Sequence, residues 1–360
     1  MTISFSDVTR VALCTGALAL AEVMGAAQAS PLSDAANSLQ PGESVKVKTH
    51  LSGTTTMTDG ATMLMWASSG VWDPVRHEVR FVGKRYSLFP HKFLVYSENS
   101  DTWSGDRALP SELTCNCNGH GYDHNAIDPT TGTSYYRVYN SHTIYAWNGS
   151  WSTIPPIPDG SIDIAASISW VNGLGLVYVD KYKFIYYNGS TWQSLGTPPA
   201  VSYHNVSEYN PSSQTLIYGG GNGITAMWKM DANRRVSRIK DPPFNQGASE
   251  TQTVLVSDPS SDAFITWQKR STAWAAYDVS SDAWSTLQRA TGDGSTPARG
   301  VPNLDSSDTA GATIGIPIST YGVIMFVQFQ GSGDAGVWVY KHSPSVALAT
   351  PNPPTNVSAE

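Results

Sequence analysis

The sequence has little charge, few cysteines and no clustered basic residues. Only 14% of its 360 residues are Asp, Glu, Lys or Arg, which is too few to cover the exposed faces of many helices. Its 22 basic residues are outnumbered by 29 acidic ones, and the net charge of −7 is spread along the chain. A polyanion would find no basic patch to bind. We therefore expect no nucleic-acid partner.

Residues that form turns and strands are abundant instead. The chain contains 31 Gly and 22 Pro, and 11% of its residues are aromatic. Aromatic and β-branched residues favour strands, while Gly and Pro favour the turns between them. The length exceeds that of one small domain, but a closed all-β ring can hold it in a single unit. The composition predicts an all-β fold.

The N-terminus has the pattern of an export signal. Arg10 precedes the apolar run 11–21, and Ala27-Gln28-Ala29 is the small-x-small pattern that a signal peptidase cuts, here before Ser30. The run is shorter than the roughly 20 residues that span a membrane. We expect residues 1–29 to be a signal peptide, no membrane span, and an extracellular or cell-surface protein. The alternative is a tolerated apolar N-terminus on an intracellular protein.

A repeat runs along the rest of the chain. Five times an apolar segment enters a turn that begins with Asp or Asn, usually followed by Pro, and a sixth segment has a different turn. Asp or Asn accepts hydrogen bonds within its own turn, and Pro fixes the next φ angle. The spacing of about 40 to 60 residues is typical of a β-propeller. The turns lie at Asp73-Pro74, Asp128-Pro129, Asn172-Gly173, Asn210-Pro211, Asp258-Pro259 and 318–322.

A second marker follows each turn by about twenty to thirty residues. It is an aromatic strand followed by a polar turn and usually by a Trp, and two of the turns, Asn148-Gly149 and Asn188-Gly189, are strong hairpin signals. The marker begins at Phe93, Thr143, Phe184, Ala226, Ala275 and Val337.

The two markers together resemble those of kelch-type β-propellers, the group that includes the central domain of galactose oxidase. The resemblance covers residues 44–345, although the double glycine of kelch strands occurs only once, at Gly219-Gly220-Gly221. It implies blades of four short antiparallel strands. Six repeats predict six blades.

The two ends of the propeller are expected to meet. The sixth repeat ends after Tyr340 without a fourth strand, whereas the strand-like segment 44–51 has no blade of its own. Using that segment as the outer strand of the last blade would close the ring and cover its open edges. Residues 30–43 then form a lead-in. Residues 346–360 resemble a linker and the start of a fibronectin type III domain, so further C-terminal modules are expected.

Candidate site residues follow from an analogy with other propellers, in which loops that feed the innermost strands meet at one channel mouth. Histidine and asparagine at such positions can serve chemistry, but they more commonly satisfy backbone groups of the next blade. As ligand-binding or catalytic candidates the sequence offers His120, Tyr122, His124 and Asn125 in the second blade, Tyr203, His204 and Asn205 in the fourth, and Glu250 and Gln252 in the fifth.

Two of these pairs suggest acid–base chemistry. His124 or His204 with Tyr122 or Tyr203 could abstract the proton next to a uronate carboxylate and expel the linked sugar, as propeller polysaccharide lyases do. Arg137, or Arg299, would neutralise the substrate carboxylate. No Gly-x-Ser-x-Gly sequence is present to suggest a serine hydrolase.

The densest group of reactive side chains lies around Cys115 and Cys117. With His120 and His124 they offer four ligands within ten residues, which suits a Zn, Cu or Mn ion, although the spacing matches no usual zinc finger. A local disulfide is the second possibility, and it would close a strained ring. Two free thiols are the third.

Two functions therefore remain open. The first is a secreted recognition or scaffold module that binds a polysaccharide or an extracellular protein at the channel mouth, with Trp66, Trp72 and Trp228 as candidate surfaces for stacking sugars. The second is a carbohydrate-active enzyme, a lyase that is metal-assisted if the cysteine cluster holds an ion. Four other histidines are expected to be solvated: His77, His91, His142 and His342.

Overall fold

The computed structural model describes residues 29–47, 49, 63–84, 91–105, 108–114, 119–198, 200–249, 251–306, 311–329 and 335–342. It is an all-β ring of six antiparallel sheets, as the sequence predicts. The only α-helix in this part of the chain is α1 (Pro31–Ser38), which precedes β1 (Glu43–Lys46). No helix in these ranges is long and apolar enough to cross a membrane.

Each of the first five blades is a sheet of four consecutive strands, ordered from the channel outward. The first blade contains β2 (Val71–Asp73), β3 (Glu78–Gly83), β4 (Lys92–Ser97) and β5 (Thr102–Ser104), and the second contains β6 (Asn125–Asp128), β7 (Thr133–Arg137), β8 (Ile144–Trp147) and β9 (Trp151–Thr153). The third blade contains β10 (Ser167–Val171), β11 (Gly175–Val179), β12 (Phe184–Tyr187) and β13 (Trp192–Gly196), and the fourth contains β14 (Val206–Asn210), β15 (Thr215–Gly219), β16 (Met227–Met230) and β17 (Val236–Arg238). The fifth blade contains β18 (Thr253–Ser257), β19 (Ala263–Gln268), β20 (Trp274–Asp278) and β21 (Ala283–Thr286).

The sixth blade joins the two ends of the chain, which confirms the predicted closure. From the channel outward it contains β23 (Thr313–Ile318), β24 (Val323–Phe329), β25 (Ala335–Lys341) and β1, with Val45 opposite Val339. A short strand that the sequence did not reveal, β22 (Ala298–Arg299), pairs with the outer edge of β1. The N-terminal strand is therefore covered on both sides.

The repeated turns form for the predicted reason. The side-chain oxygen of Asp73 accepts the backbone N–H of Val75 at 2.8 Å, and that of Asn210 accepts the N–H of Ser212 at 2.8 Å. Each such turn reverses the chain from the innermost strand to the second. The six turns lie at one end of the channel, which we call the turn face. The end where the innermost strands begin is the loop face.

The recurring Trp ties neighbouring blades together. In the third blade Trp192 lies directly opposite Tyr187, with ring centroids 5.6 Å apart, and its Nε1–H donates to the carbonyl of Pro155, which follows the second blade, at 2.8 Å. Trp284 pairs in the same way with Tyr277 and donates to Lys240. The aromatic marker is therefore a structural device of the ring.

The lead-in contains a helix that the sequence analysis did not predict. Ser30 caps α1 in a reciprocal arrangement with Ser33, and Pro31 occupies the first turn, where its missing N–H costs nothing. Leu32, Ala36 and Leu39 are buried in a cluster that includes residues of both the first and the sixth blade. The helix covers the seam at which the ring closes.

Several predicted features lie outside the described residues. These are the signal peptide through residue 28, Cys115, Cys117, Glu250, and the C-terminal linker with its fibronectin-like start.

Candidate functional site

The structure gathers the loop-face candidates of the second and fourth blades into one cluster. The hydroxyl groups of Tyr122 and Tyr203 lie 3.1 Å apart, and the ring centroids of Tyr122 and His204 are separated by 5.1 Å. Trp66 joins them from the first blade, with its ring centroid 5.2 Å from that of His120. Sequence reasoning therefore found most of this cluster, and it proposed Trp66 for a different reason, as a sugar-stacking surface.

The backbone at the cluster is held in an uncommon conformation. Trp66, Tyr122 and His204 have φ angles of 57°, 38° and 72°, in the left-handed region that non-glycine residues rarely adopt. Hydrogen bonds between loops fix them there: the N–H of Ser68 donates to the carbonyl of Tyr122 at 3.0 Å, and that of Ala248 to His204 at 2.8 Å. The strained backbone orients the aromatic rings toward one another.

The cluster is largely buried at the loop face. Tyr122, His204 and His120 are only 1%, 4% and 5% exposed, while Trp66 and Tyr203 are half-buried. Within the described residues, the side chains that were expected to line a mouth therefore pack against one another.

Burial also changes the proton chemistry of the histidines. Desolvation lowers the pKa of His204 to about 4, although its Nδ1 lies 3.0 Å from the side-chain oxygen of Asn222. A base with such a pKa is mostly unprotonated at pH 7 but is a weak proton acceptor. The imidazole is suited to packing and hydrogen bonding rather than to proton abstraction.

His124 and Arg137 lie together inside the wall between the second and third blades. His124 is 0% exposed, and its Nε2 is 2.9 Å from NH1 of Arg137. The guanidinium also donates to the carbonyl groups of Ile164 at 2.9 Å and Asp163 at 2.5 Å. Burial first, and the adjacent Arg137 charge second, hold the pKa of His124 well below its usual range. The Arg137 guanidinium is therefore buried in the wall between the second and third blades.

Two asparagine candidates connect blades. The amide of Asn125 accepts from the N–H of Val82 at 2.8 Å and donates to its carbonyl at 3.0 Å, like a strand partner. Asn205 donates to the Ser167 hydroxyl at 2.7 Å and to the carbonyl of Val179 at 3.1 Å. In the fifth blade the side chain of Gln252 packs against Gly247. These contacts match the structural interpretation that the sequence analysis kept open.

The proposed metal site is described only in part. Within the described ranges, no group of three or more His, Cys, Asp and Glu is placed to hold a metal ion. His120 and His124 are in place, but both cysteines fall outside those ranges, so the Zn, Cu or Mn site stays a prediction. The expectation of solvated histidines is wrong for two of them, because His91 and His342 are 4% and 7% exposed.

A carboxyl group lies beneath the aromatic cluster. Asp123 accepts the Ser69 hydroxyl at 2.6 Å and the N–H of Ser207 at 2.7 Å, and its own carbonyl accepts the N–H of Ile168 at 3.0 Å. It thereby connects the first four blades. Desolvation raises its pKa to about 7. In sequence Asp123 lies between Tyr122 and His124, but it is not among the residues predicted to form the site.

The channel is open at the turn face. A cavity of about 130 Å³ is lined by the innermost strands of all six blades and by residues of the turns that follow them. Trp72 and Trp170 form part of its wall, and Trp170 stacks on Tyr135 with centroids 5.5 Å apart and planes 7° from parallel. Of the three Trp suggested for sugar stacking, only Trp72 lines this channel.

Glu208 places an acidic group inside the channel. One of its carboxyl oxygens accepts the hydroxyl of Ser257 at 2.8 Å and the N–H of the same residue at 3.1 Å. Burial raises the pKa of Glu208 to about 8, and the neighbouring charge of Asp123 adds to the effect. In sequence Glu208 only precedes the turn at Asn210-Pro211, and it is not among the predicted site residues. A charged residue in the middle of an innermost strand was the signal that could have identified it.

Comparison with solved structures supports the fold. The chain is similar to the crystal structure of selenomethionine-substituted virginiamycin B lyase from Staphylococcus aureus, with 11% identity and a TM-score of 0.50, over 79% of this chain and 97% of that one. It is less similar to a chain of the nidogen/laminin complex, with 12% identity and a TM-score of 0.45 over 61% and 79%. No protein-family model and no curated protein matches the sequence. At such identities the likeness concerns the propeller fold alone.

Proposed function

We propose that this chain is a recognition module that binds a glycan in the turn-face channel without turning it over. The setting is extracellular or at the cell surface, as the predicted signal peptide implies. The kelch-type assignment and a following fibronectin type III module belong to the same proposal, with the propeller as one module of a longer protein.

The observation that carries the proposal is the contrast between the two ends of the channel. At the loop face Tyr122 and its described neighbours pack against one another, whereas the turn face opens into a cavity lined by Trp72 and Trp170. Trp72 is only 3% exposed, so the half-buried Trp170 is the ring that a ligand can reach. Flat aromatic faces suit the apolar C–H face of a pyranose ring, and a concave, largely apolar cavity with a few polar groups is the usual form of a ligand site.

The polar groups of the channel favour an uncharged ligand. With a pKa of about 8, Glu208 keeps its proton at pH 7 and can donate a hydrogen bond as well as accept one. Ser169 also lines the channel, and its hydroxyl lies 2.7 Å from that of Ser207. A neutral, hydroxyl-rich sugar matches such a set better than a polyuronate, whose carboxylate would meet no basic residue among those that line this cavity.

The lyase alternative has less support. It needs an accessible base and a cation that reaches the substrate carboxylate. His124 and Arg137 are both 0% exposed and bonded to each other, and Arg299 lies on the outer strand β22, away from the channel. The similar lyase structure shares only the fold with this chain.

The test is an array of neutral and acidic glycans probed with the exported protein. We expect binding to a subset of neutral glycans, and no unsaturated product or new reducing end when the bound glycan is incubated with the protein. No binding to any glycan would overturn the proposal and favour a protein partner. Release of an ultraviolet-absorbing unsaturated uronate would overturn it in favour of the lyase.

A further inference from the structure

A second cavity lies at the seam between the first and sixth blades, apart from the central channel. It measures about 390 Å³. One wall is the start of the lead-in and the others are turns of the two blades that the seam joins. Its lining includes Ser30, His77, Glu98, Asp101 and Tyr321.

The carboxyl group of Glu98 is the focus of this cavity. It is 5% exposed and accepts the Ser30 hydroxyl at 2.5 Å and the Tyr321 hydroxyl at 2.7 Å, while Nδ1 of His77 lies 2.8 Å from its other oxygen. His77 is charged only when protonated. Among the described residues, no Lys or Arg lies within ion-pair distance of Glu98. A buried carboxylate without a permanent cation is costly.

Ser30 is the residue that the sequence analysis places directly after the signal-peptidase cut. Its backbone nitrogen donates to the Ser33 hydroxyl at 2.8 Å, and its side chain reaches Glu98. The nitrogen and the hydroxyl that contacts Glu98 belong to the same residue, separated only by Cα and Cβ. Only the Ser30 side chain therefore separates a charge on this nitrogen from the Glu98 carboxyl.

We propose that cleavage between Ala29 and Ser30 creates an α-ammonium group that pairs with Glu98 at the seam. The peptidase adds one water across the peptide bond: the carboxylate leaves with Ala29, and the amine of Ser30 takes up a proton. One N–H of the new ammonium keeps the bond to Ser33, and the others face the Glu98 carboxylate. The processed terminus supplies a cation beside Glu98 in addition to His77, which is charged only when protonated.

The surroundings make Glu98 necessary for this pairing. The N-terminal end of α1 carries a partial positive charge and by itself repels an ammonium. Glu98, with Asp101 as a second carboxyl in the cavity wall, reverses that preference. Since Leu32 and Leu39 anchor α1 between the first and last blades, the ion pair would lock the helix at the point where the ring closes. The proposal is independent of glycan binding.

The test uses the full chain produced in a host that exports it. The intact mass of the exported protein should correspond to a start at Ser30. The rate at which acetic anhydride modifies the α-amino group, followed over pH by mass spectrometry of the N-terminal peptide, should give a pKa at least one unit above the ordinary range of roughly 7.7–8.0. At pH 8 the reaction should be about fourfold slower than for an unpaired terminus.

Variants separate the ion pair from the fold. Glu98→Gln should return the acetylation rate to that of an unpaired terminus, whereas Glu43→Gln, a carboxyl at the other end of the lead-in, should leave it slow. Tyr321→Phe removes a hydrogen bond to Glu98 but keeps its charge, so the acetylation of the α-amino group should remain slow. This variant provides a second test if Glu98→Gln is not exported. A start at another residue, or an ordinary pKa in the wild-type protein, would overturn the proposal.

Discussion

The NH1 group of Arg137 lies 2.9 Å from Nε2 of His124, and neither side chain reaches solvent. In sequence these two residues look like a general base and the cation that binds a substrate carboxylate. In the structure they satisfy each other and the carbonyl groups that lead into the third blade. Their contribution is to the wall of the ring.

We therefore expect Arg137→Ala to lower the free energy of unfolding by about 3 kcal/mol, because it removes three hydrogen bonds from a buried site. His124→Ala should cost about 2 kcal/mol, and the double variant less than the sum, since the two share one contact. Urea unfolding measures all three. Arg238→Ala, which removes an exposed ion pair with Asp241, is the matched control and should cost at most about 1 kcal/mol. Additive losses would show that the two residues are not coupled.

The stability that the buried histidines contribute should fall on the acid side of pH 6.5. His204 and His91 have pKa values lowered to about 4 in the folded chain. Between this pH and the unfolded pKa, the unfolded chain therefore binds protons that the folded chain does not bind. The stability that these histidines contribute is present above the unfolded pKa of about 6.5 and is lost as the pH falls toward 4, by about 3 kcal/mol for each. Unfolding free energies measured from pH 7 to 4.5 test this. In His204→Asn the decline should be shallower, and an unchanged slope would contradict the assignment.

The buried carboxyl groups should act in the opposite direction. Glu208, with a pKa raised to about 8, holds its proton in the folded chain after the unfolded chain has released it. Stability is therefore lost as the pH rises from about 4.5 to 8, by about 1.4 kcal/mol for each pKa unit. Glu208→Gln keeps an oxygen for Ser257 and removes the titration. We expect it to be more stable than wild type at pH 8.5, and an equal or lower stability would contradict the raised pKa.

Closure of the ring by β1 gives a further prediction. Val45 is 6% exposed and lies opposite Val339, so Val45→Asp buries a charge in the strand that holds the first and last blades together. We expect a loss of at least about 3 kcal/mol, measured by urea unfolding. Val236→Asp is the control, because Val236 is 39% exposed on an outer strand, and it should change stability by less than about 1 kcal/mol. Equal effects would mean that β1 is dispensable.

The fold could be predicted because each blade repeats its turn chemistry. The turns at Asp73 and Asn210, and the Trp that follows each aromatic strand, act within a few residues of themselves or on the next blade. Such local signals survive in the sequence. The helix α1 carried a usable capping signal, Ser30 with Pro31, which the analysis did not use.

The site was harder to predict because its two ends depend on packing between distant blades. The sequence could place His120, Tyr122, Tyr203 and His204 at one end, but not show that their rings pack against one another there. That outcome depends on left-handed backbone angles fixed by bonds between loops. Glu208 faces the channel only because six blades assemble around its strand, and the sequence of that strand alone does not show which of its faces points inward.

The central claim is that a glycan binds at the turn face, and the affinity of one pair of variants tests it most directly. Trp170 lines the channel, whereas Trp192 lies on the outer strand of the same blade. With a glycan selected on the array, titration calorimetry should give a dissociation constant at least about tenfold weaker for Trp170→Ala, equivalent to about 1.4 kcal/mol, and within about twofold of wild type for Trp192→Ala. Unchanged affinity in Trp170→Ala would contradict the account and place the glycan elsewhere.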